Sequence, residues 1–189
     1  MDKIKLSKEQ KIKLLKTVRA TIEQKLFGSP KTEFPDLSGD IFSRNFGLFV
    51  TLTTNGHLRG CIGYVEGIKP IREAVKDMAI QAAFHDPRFY PLKEDEYTEL
   101  EIEISILYPL EKIKDINQIE VGRDGLVMER GFHKGLLLPQ VATEHNWDRE
   151  RFLNETCRKA GLESFAWENG AIIYKFEAEV FNEKEPGIS

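Results

Sequence analysis

Arg59 and Cys61 lie two positions apart in the run His57-Leu58-Arg59-Gly60-Cys61-Ile62-Gly63, and His85-Asp86-Pro87-Arg88 adds an imidazole, a carboxylate and a second guanidinium. A thiol beside a fixed cation gains thiolate character, and the thiolate is the form that attacks an electrophile. On that reading Cys61 is the candidate nucleophile and His85 the candidate base. Arg59 is then an anion clamp, because a planar guanidinium fork suits a carboxylate or phosphate. Gly60, Gly63, Asp86 and Arg88 join Arg59 as the candidate ligand-binding set. The two glycines belong there because glycine inside a strand marks a bulge or a close approach by ligand or backbone. Each residue also has a purely structural reading. A cysteine in a strand is equally a small apolar core residue. Arg59 can form an internal salt bridge to Asp86, Glu101 or Glu103, and Asp86-Pro87-Arg88-Phe89 can simply fix a helix exit.

The sequence holds no GxxxxGK[ST], GxGxxG, GxSxG or HExxH, which removes the enzyme classes those motifs serve. Its four histidines, at 57, 85, 133 and 145, fall in separate segments and no CxxC is present. A zinc site therefore lacks its usual ligand spacing, and neither metal nor cofactor is expected.

The elements that position Arg59 and Cys61 follow from the turn beside them. Asn55-Gly56 between two apolar runs is a strong hairpin signal, because both central positions of the turn need φ > 0. Residues 46–53 and 57–64 are therefore predicted to pair antiparallel. A two-residue turn sets Thr54 opposite His57, Leu52 opposite Arg59 and Val50 opposite Cys61, which places 57, 59 and 61 on one face. That face also carries leucine and valine. Either a bulge at Gly60 re-aims the second strand or the site sits at a cleft edge.

Around this hairpin the chain reads as helices and further strands. Ser7 opens a helix with capping-box spacing to Gln10, the apolar positions 12, 15, 18, 22 and 26 form its stripe, and Gly28 stops it. Pro70 suits the first turn of a second helix with a narrow Ala-rich stripe, which ends near His85 because Asp86 precedes a proline. Leu100–Ile106 alternates without error, with Glu101, Glu103 and Ser105 outward. Residues 110–120 read as irregular, 126–129 and 135–138 as a second hairpin, 139–160 as helical with Cys157 in the core, and 171–181 as a last strand. The tail from 182 to 189 is expected to fray. The fold class predicted is α+β: a mainly antiparallel sheet with flanking helices, with residues 1–189 forming one domain or two small lobes that share a core.

With 189 residues, 41% hydrophobic and 31% charged, the chain can bury a sizeable core. Its net charge of −4 gives no field to attract a polyanion, so nucleic acid is disfavoured as a partner. No apolar run reaches bilayer length and the start lacks the apolar region of a signal peptide. Two distant cysteines agree with free thiols in a reducing compartment, so a cytoplasmic location is expected.

Leu58-Arg59-Gly60-Cys61-Ile62-Gly63, followed by Asp86-Pro87-Arg88-Phe89, then 121–126 (Val-Gly-Arg-Asp-Gly-Leu) and 135–141 (Gly-Leu-Leu-Leu-Pro-Gln-Val), closely resembles the AMMECR-one domain family. The resemblance runs through nearly the whole chain in order. It implies two unequal lobes with the LRGCIG segment near a cleft, and names no reaction. For partners it implies a Memo-like or radical-SAM protein, beside the small molecule or peptide that the residues themselves suggest. The functional expectation is thus a ligand-binding cleft around LRGCIG that is open to cysteine-dependent catalysis, with a non-catalytic interaction module as the alternative.

Overall fold

The computed structural model describes residues 5–185, so the first four residues and the tail at 186–189 lie outside the description. Helix α1 (Lys8–Phe27) begins where the sequence places it. The Ser7 hydroxyl accepts from the Gln10 amide and the Gln10 side chain accepts from the Ser7 amide. Strands β1 (Gly47–Thr54) and β2 (His57–Tyr64) form the hairpin, with Asn55 at φ 51° and Gly56 at φ 76°. Helix α2 (Ile71–Phe84) follows Pro70, and β3 spans Leu100–Leu107. The chain then forms β4 (Glu111–Ile113), β5 (Asp124–Arg130), β6 (His133–Leu137), α3 (Pro139–Glu144), α4 (Arg149–Lys159) and β7 (Ile172–Asn182). The pairs β1–β2, β4–β7, β5–β6 and β5–β7 are antiparallel, and the fold class is α+β. No helix among the described residues is long and apolar enough to cross a membrane.

Two compact units result. One comprises the residues to Ile106 together with those from Glu179 onward, and the other is Leu107–Ala178. In the first, strands run in the order β2-β1-β3-β7 with β2 at the edge. Leu48, Val50 and Leu52 of β1 and Ala74, Val75, Met78, Ala79 and Ala82 of α2 are buried together in its core. The small residues of α2 let its backbone come close to the sheet. A Cβ on Gly60 would stand 2.1 Å from the Ala82 carbonyl oxygen. In the second unit β5 lies between β6 and β7, and Leu126, Met128, Phe152, Leu153, Cys157 and Ile173 share the core. Cys157 is fully buried there, where the helical stripe of α4 puts it.

Three expectations need correction. Residues 111–113 are a strand, although three residues are too few to show a period. Ser105 is 1% exposed rather than outward, and its hydroxyl has no partner among the described residues. The tail expected to fray from residue 182 is tied at its start. Glu183 receives the Arg19 guanidinium and the Ile102 amide, and its own amide donates to the Ile102 carbonyl.

Candidate functional site

The register of the hairpin decides where the chemistry-bearing residues point. Thr54 faces His57 and Thr53 faces Leu58, but Leu52 then faces Gly60 and Thr51 faces Cys61. Arg59 is the extra residue of a β-bulge, which leaves it outside the ladder and shifts everything after it by one place. The expected pairings of Leu52 with Arg59 and Val50 with Cys61 are therefore wrong, and 57, 59 and 61 do not share a face. Gly60 takes the core-facing position under α2. Cys61 moves to the opposite face, half-buried beside Thr51, whose Oγ1 lies 3.2 Å from its Sγ. The physical reason is the close approach of α2, because only a residue without a side chain fits beneath the Ala82 carbonyl.

The loop after α2 clips the outer edge of β2. Asp86 is 3% exposed, and its Oδ2 accepts the Cys61 amide at 2.9 Å. Its carboxylate also receives the Arg88 guanidinium, Nε at 2.9 Å and Nη2 at 2.7 Å, and the Arg88 amide at 3.1 Å. Arg88 Nη2 in turn donates to the Cys61 carbonyl at 3.1 Å. The pair thus satisfies both backbone groups of Cys61 as a neighbouring strand would, which blunts an exposed sheet edge. The Arg88 fork holds the Asp86 carboxyl well below the usual carboxylate range. Burial opposes that shift, and the Cys61 and Arg88 amides reinforce it.

Arg59 leaves the ladder and meets an acceptor that sequence spacing did not suggest. Its Nε and Nη2 donate to the two carboxylate oxygens of Glu96, at 2.6 and 3.0 Å. Glu96 belongs to a short 3-10 segment, Glu94–Glu99. The fork raises the Arg59 pKa and lowers that of Glu96. The Phe89 ring lies 5.8 Å from the Arg59 guanidinium carbon and 5.5 Å from that of Arg88, both within cation–π range. These groups border an open pocket of about 390 Å³ together with Tyr90 and Lys93. Tyr90 is 88% exposed, a large aromatic standing in solvent in the lining that also holds Arg59 and Arg88.

Of the residues expected to act, Arg59 and Arg88 border this pocket. Asp86 holds Arg88, Gly60 lies beneath the Ala82 carbonyl, and Gly63 packs against the Phe49 ring and the Leu48 carbonyl, none of the three lining the pocket. Cys61 is held by the same clip but does not line the pocket. His85 is the exposed C-terminal cap residue of α2, and no hydrogen bond joins it to Cys61 among the described residues. Glu96, Tyr90 and Lys93 escaped sequence reading. The 3-10 segment has no amphipathic period, and Glu96 lies 37 residues beyond Arg59.

The second unit uses the same chemistry for a turn. Asp124 is buried, accepts the Glu120 amide at 2.9 Å and receives the Arg123 fork. A polar depression of about 560 Å³ adjoins it, and no aromatic side chain lines it among the described residues. Arg123 bonds Glu120 and Asp124, and Arg149 bonds the Ile119 carbonyl and Asn117 Oδ1.

The different settings of the two thiols predict different reactivity. Burial pushes the Cys157 thiol up, whereas Cys61 is only half-buried. Native protein is expected to take one equivalent of a small alkylating reagent at Cys61 and none at Cys157. Mass spectrometry of the native and unfolded protein checks this, with Cys61→Ser silent until unfolding.

A protein of Methanothermobacter thermautotrophicus is 44% identical over 185 residues, covering 94% of this chain and 96% of its own length. One from Aquifex aeolicus is 43% identical over 168 residues, covering 85% and 86%. The crystal structure of uncharacterized protein PH0010 from Pyrococcus horikoshii superposes with a TM-score of 0.80 at 42% identity, covering 92% of this chain and 91% of that one. The AMMECR1 family pattern matches residues 15–181, and the chain belongs to that family.

Proposed function

We propose that the chain is a ligand-binding protein of the reducing cytoplasm and that its binding site is the pocket bordered by Arg59, Arg88, Phe89, Tyr90 and Lys93. One observation carries this reading. Two guanidinium groups, each fixed by a bidentate carboxylate, converge on one phenylalanine ring at the wall of an open pocket. Side chains locked by their own hydrogen bonds lose little entropy on binding, which favours recognition. The ligand is a small molecule with a negative group for the cations and a flat portion for the aromatic faces. Binding is preferred to thiol catalysis because Cys61 does not line the pocket and its thiol meets the Thr51 hydroxyl, with no hydrogen bond to a base among the described residues.

Tyr90 supports a second reading, in which a Memo-like or radical-SAM protein docks on this surface, since an 88% exposed tyrosine is also a typical interface residue. Purification from the native host separates the two. Small molecules released from the purified protein and identified by mass spectrometry are expected to include one retained by wild type. Phe89→Ala and Tyr90→Ala are each expected to cut its occupancy about tenfold, a loss of one aromatic contact. Equal occupancy in all three proteins, or a stoichiometric protein and no small molecule, contradicts the proposal.

A further inference from the structure

Taking the pocket as a ligand site, we infer that Glu96 is a built-in stand-in for the ligand's acidic group, and that the ligand class is an aromatic carboxylate that displaces it. Glu96 presents a planar carboxylate to the Arg59 fork in the side-on bidentate geometry, with oxygens 2.6 and 3.0 Å from Nε and Nη2. That geometry is the one a ligand carboxylate would adopt, and although the fork can also take a phosphate, the group it already holds here is a planar carboxylate.

The exchange is physically accessible. The Glu96 side chain is 31% exposed, so its carboxylate swings into water with little loss of hydration. The Arg59 side chain is 13% exposed and cannot be left without an acceptor, which makes the event a swap of one carboxylate for another. No residue of the 94–99 segment is buried, but the neighbouring Tyr97 is anchored independently. It donates to Glu23 and packs edge-on against Phe27 at 5.4 Å between centroids. Leaving the fork also frees the Lys93 amide, which donates to Glu96 Oε2 at 3.0 Å at the start of the segment; that amide is exposed and takes water in exchange, while Tyr97 keeps the segment in place. The aromatic half of the ligand meets Phe89 and Tyr90, which adjoin the fork on the same wall. Lys93 and Asp95 of the lining offset each other and Arg88 is already paired with Asp86, so Arg59 is the cation that the ligand carboxylate meets once Glu96 has left.

Benzoate is the probe, with benzamide as its uncharged isostere, titrated into the full 15N-labelled chain and read by amide shifts of Phe89 and Tyr90. Benzoate is expected to bind about fivefold more tightly to Glu96→Gln than to wild type, because the competing ion pair is gone. Benzamide is expected to bind equally to both. Glu96→Asp, too short to fill the fork, is expected to fall between and stands in if Glu96→Gln unfolds. Unchanged or weaker benzoate binding in these variants, with shifts still at Phe89 and Tyr90, overturns the stand-in role and leaves the pocket intact. Absence of benzoate shifts there in all proteins overturns the carboxylate class. The pocket itself is tested separately by the host-purified ligand and the Phe89 and Tyr90 variants.

Discussion

Gly60→Ala is expected to lower stability by about 3 kcal/mol, near the upper end of what overpacking costs. In urea this displaces the unfolding midpoint downward by about 1.5 M for a slope of about 2 kcal/mol/M. The clash is between a new Cβ and a backbone oxygen, Ala82 O at 2.1 Å, so no side chain can rotate away to relieve it. Either α2 lifts off the hairpin or β2 loses its register, and both disturb the core of Val50, Leu52, Met78 and Ala82. Gly56→Ala is the control. Nothing lies within 4 Å of its Cβ position, but its φ of 76° makes alanine strained. That strain costs about 1 kcal/mol. Equal losses at the two positions would contradict the close approach of α2 as the reason for glycine at 60.

Arg88→Ala is expected to cost about 2 kcal/mol at neutral pH and to change how stability depends on acid. A fully buried ion pair loses more when one partner is removed, but the Arg88 side chain is half in water. Because the folded Asp86 carboxyl titrates below its unfolded value, its stabilising contribution is fully present above that unfolded value. The contribution is lost as pH falls through the depressed folded value. Removing Arg88 takes away the largest lowering influence and leaves the opposing burial in place, so the carboxyl titrates higher. The midpoint of acid unfolding should therefore rise by about one pH unit. Asp86→Asn, which has no carboxylate to take up a proton at this position, should like Arg88→Ala show a weaker acid dependence from this site than wild type. Acid titrations followed by circular dichroism compare the three proteins. Superimposable profiles for wild type and Arg88→Ala would contradict the clip.

The parts of the fold legible in the sequence are those with local causes. The Ser7 and Gln10 box, the Asn55-Gly56 turn, the Pro70 start of α2 and the strict alternation of β3 each depend on neighbours in the chain. The register beyond Arg59 depends on a helix packed from elsewhere. A hairpin read from its turn alone cannot know that the third residue will be extruded to bring Gly60 beneath Ala82. Arg59, Asp86 and Arg88 were recognisable as candidates because charged groups among apolar neighbours need partners. Which partner each takes was not recognisable. Glu96, rather than Asp86, Glu101 or Glu103, receives Arg59, because the 3-10 segment carrying it has neither period nor burial to reveal it. Cys61 drew attention by its chemistry, yet Asp86 and Arg88 engage its backbone and leave its thiol beside Thr51.

The most direct measurement of the binding proposal is an amide shift map of the 15N-labelled chain with the ligand released from host-purified protein. The largest shifts are expected at Arg59, Arg88, Phe89, Tyr90 and Lys93, with Asn117 to Arg123 of the other unit unmoved. Saturable shifts centred elsewhere, with the 88–93 loop unchanged, would contradict it.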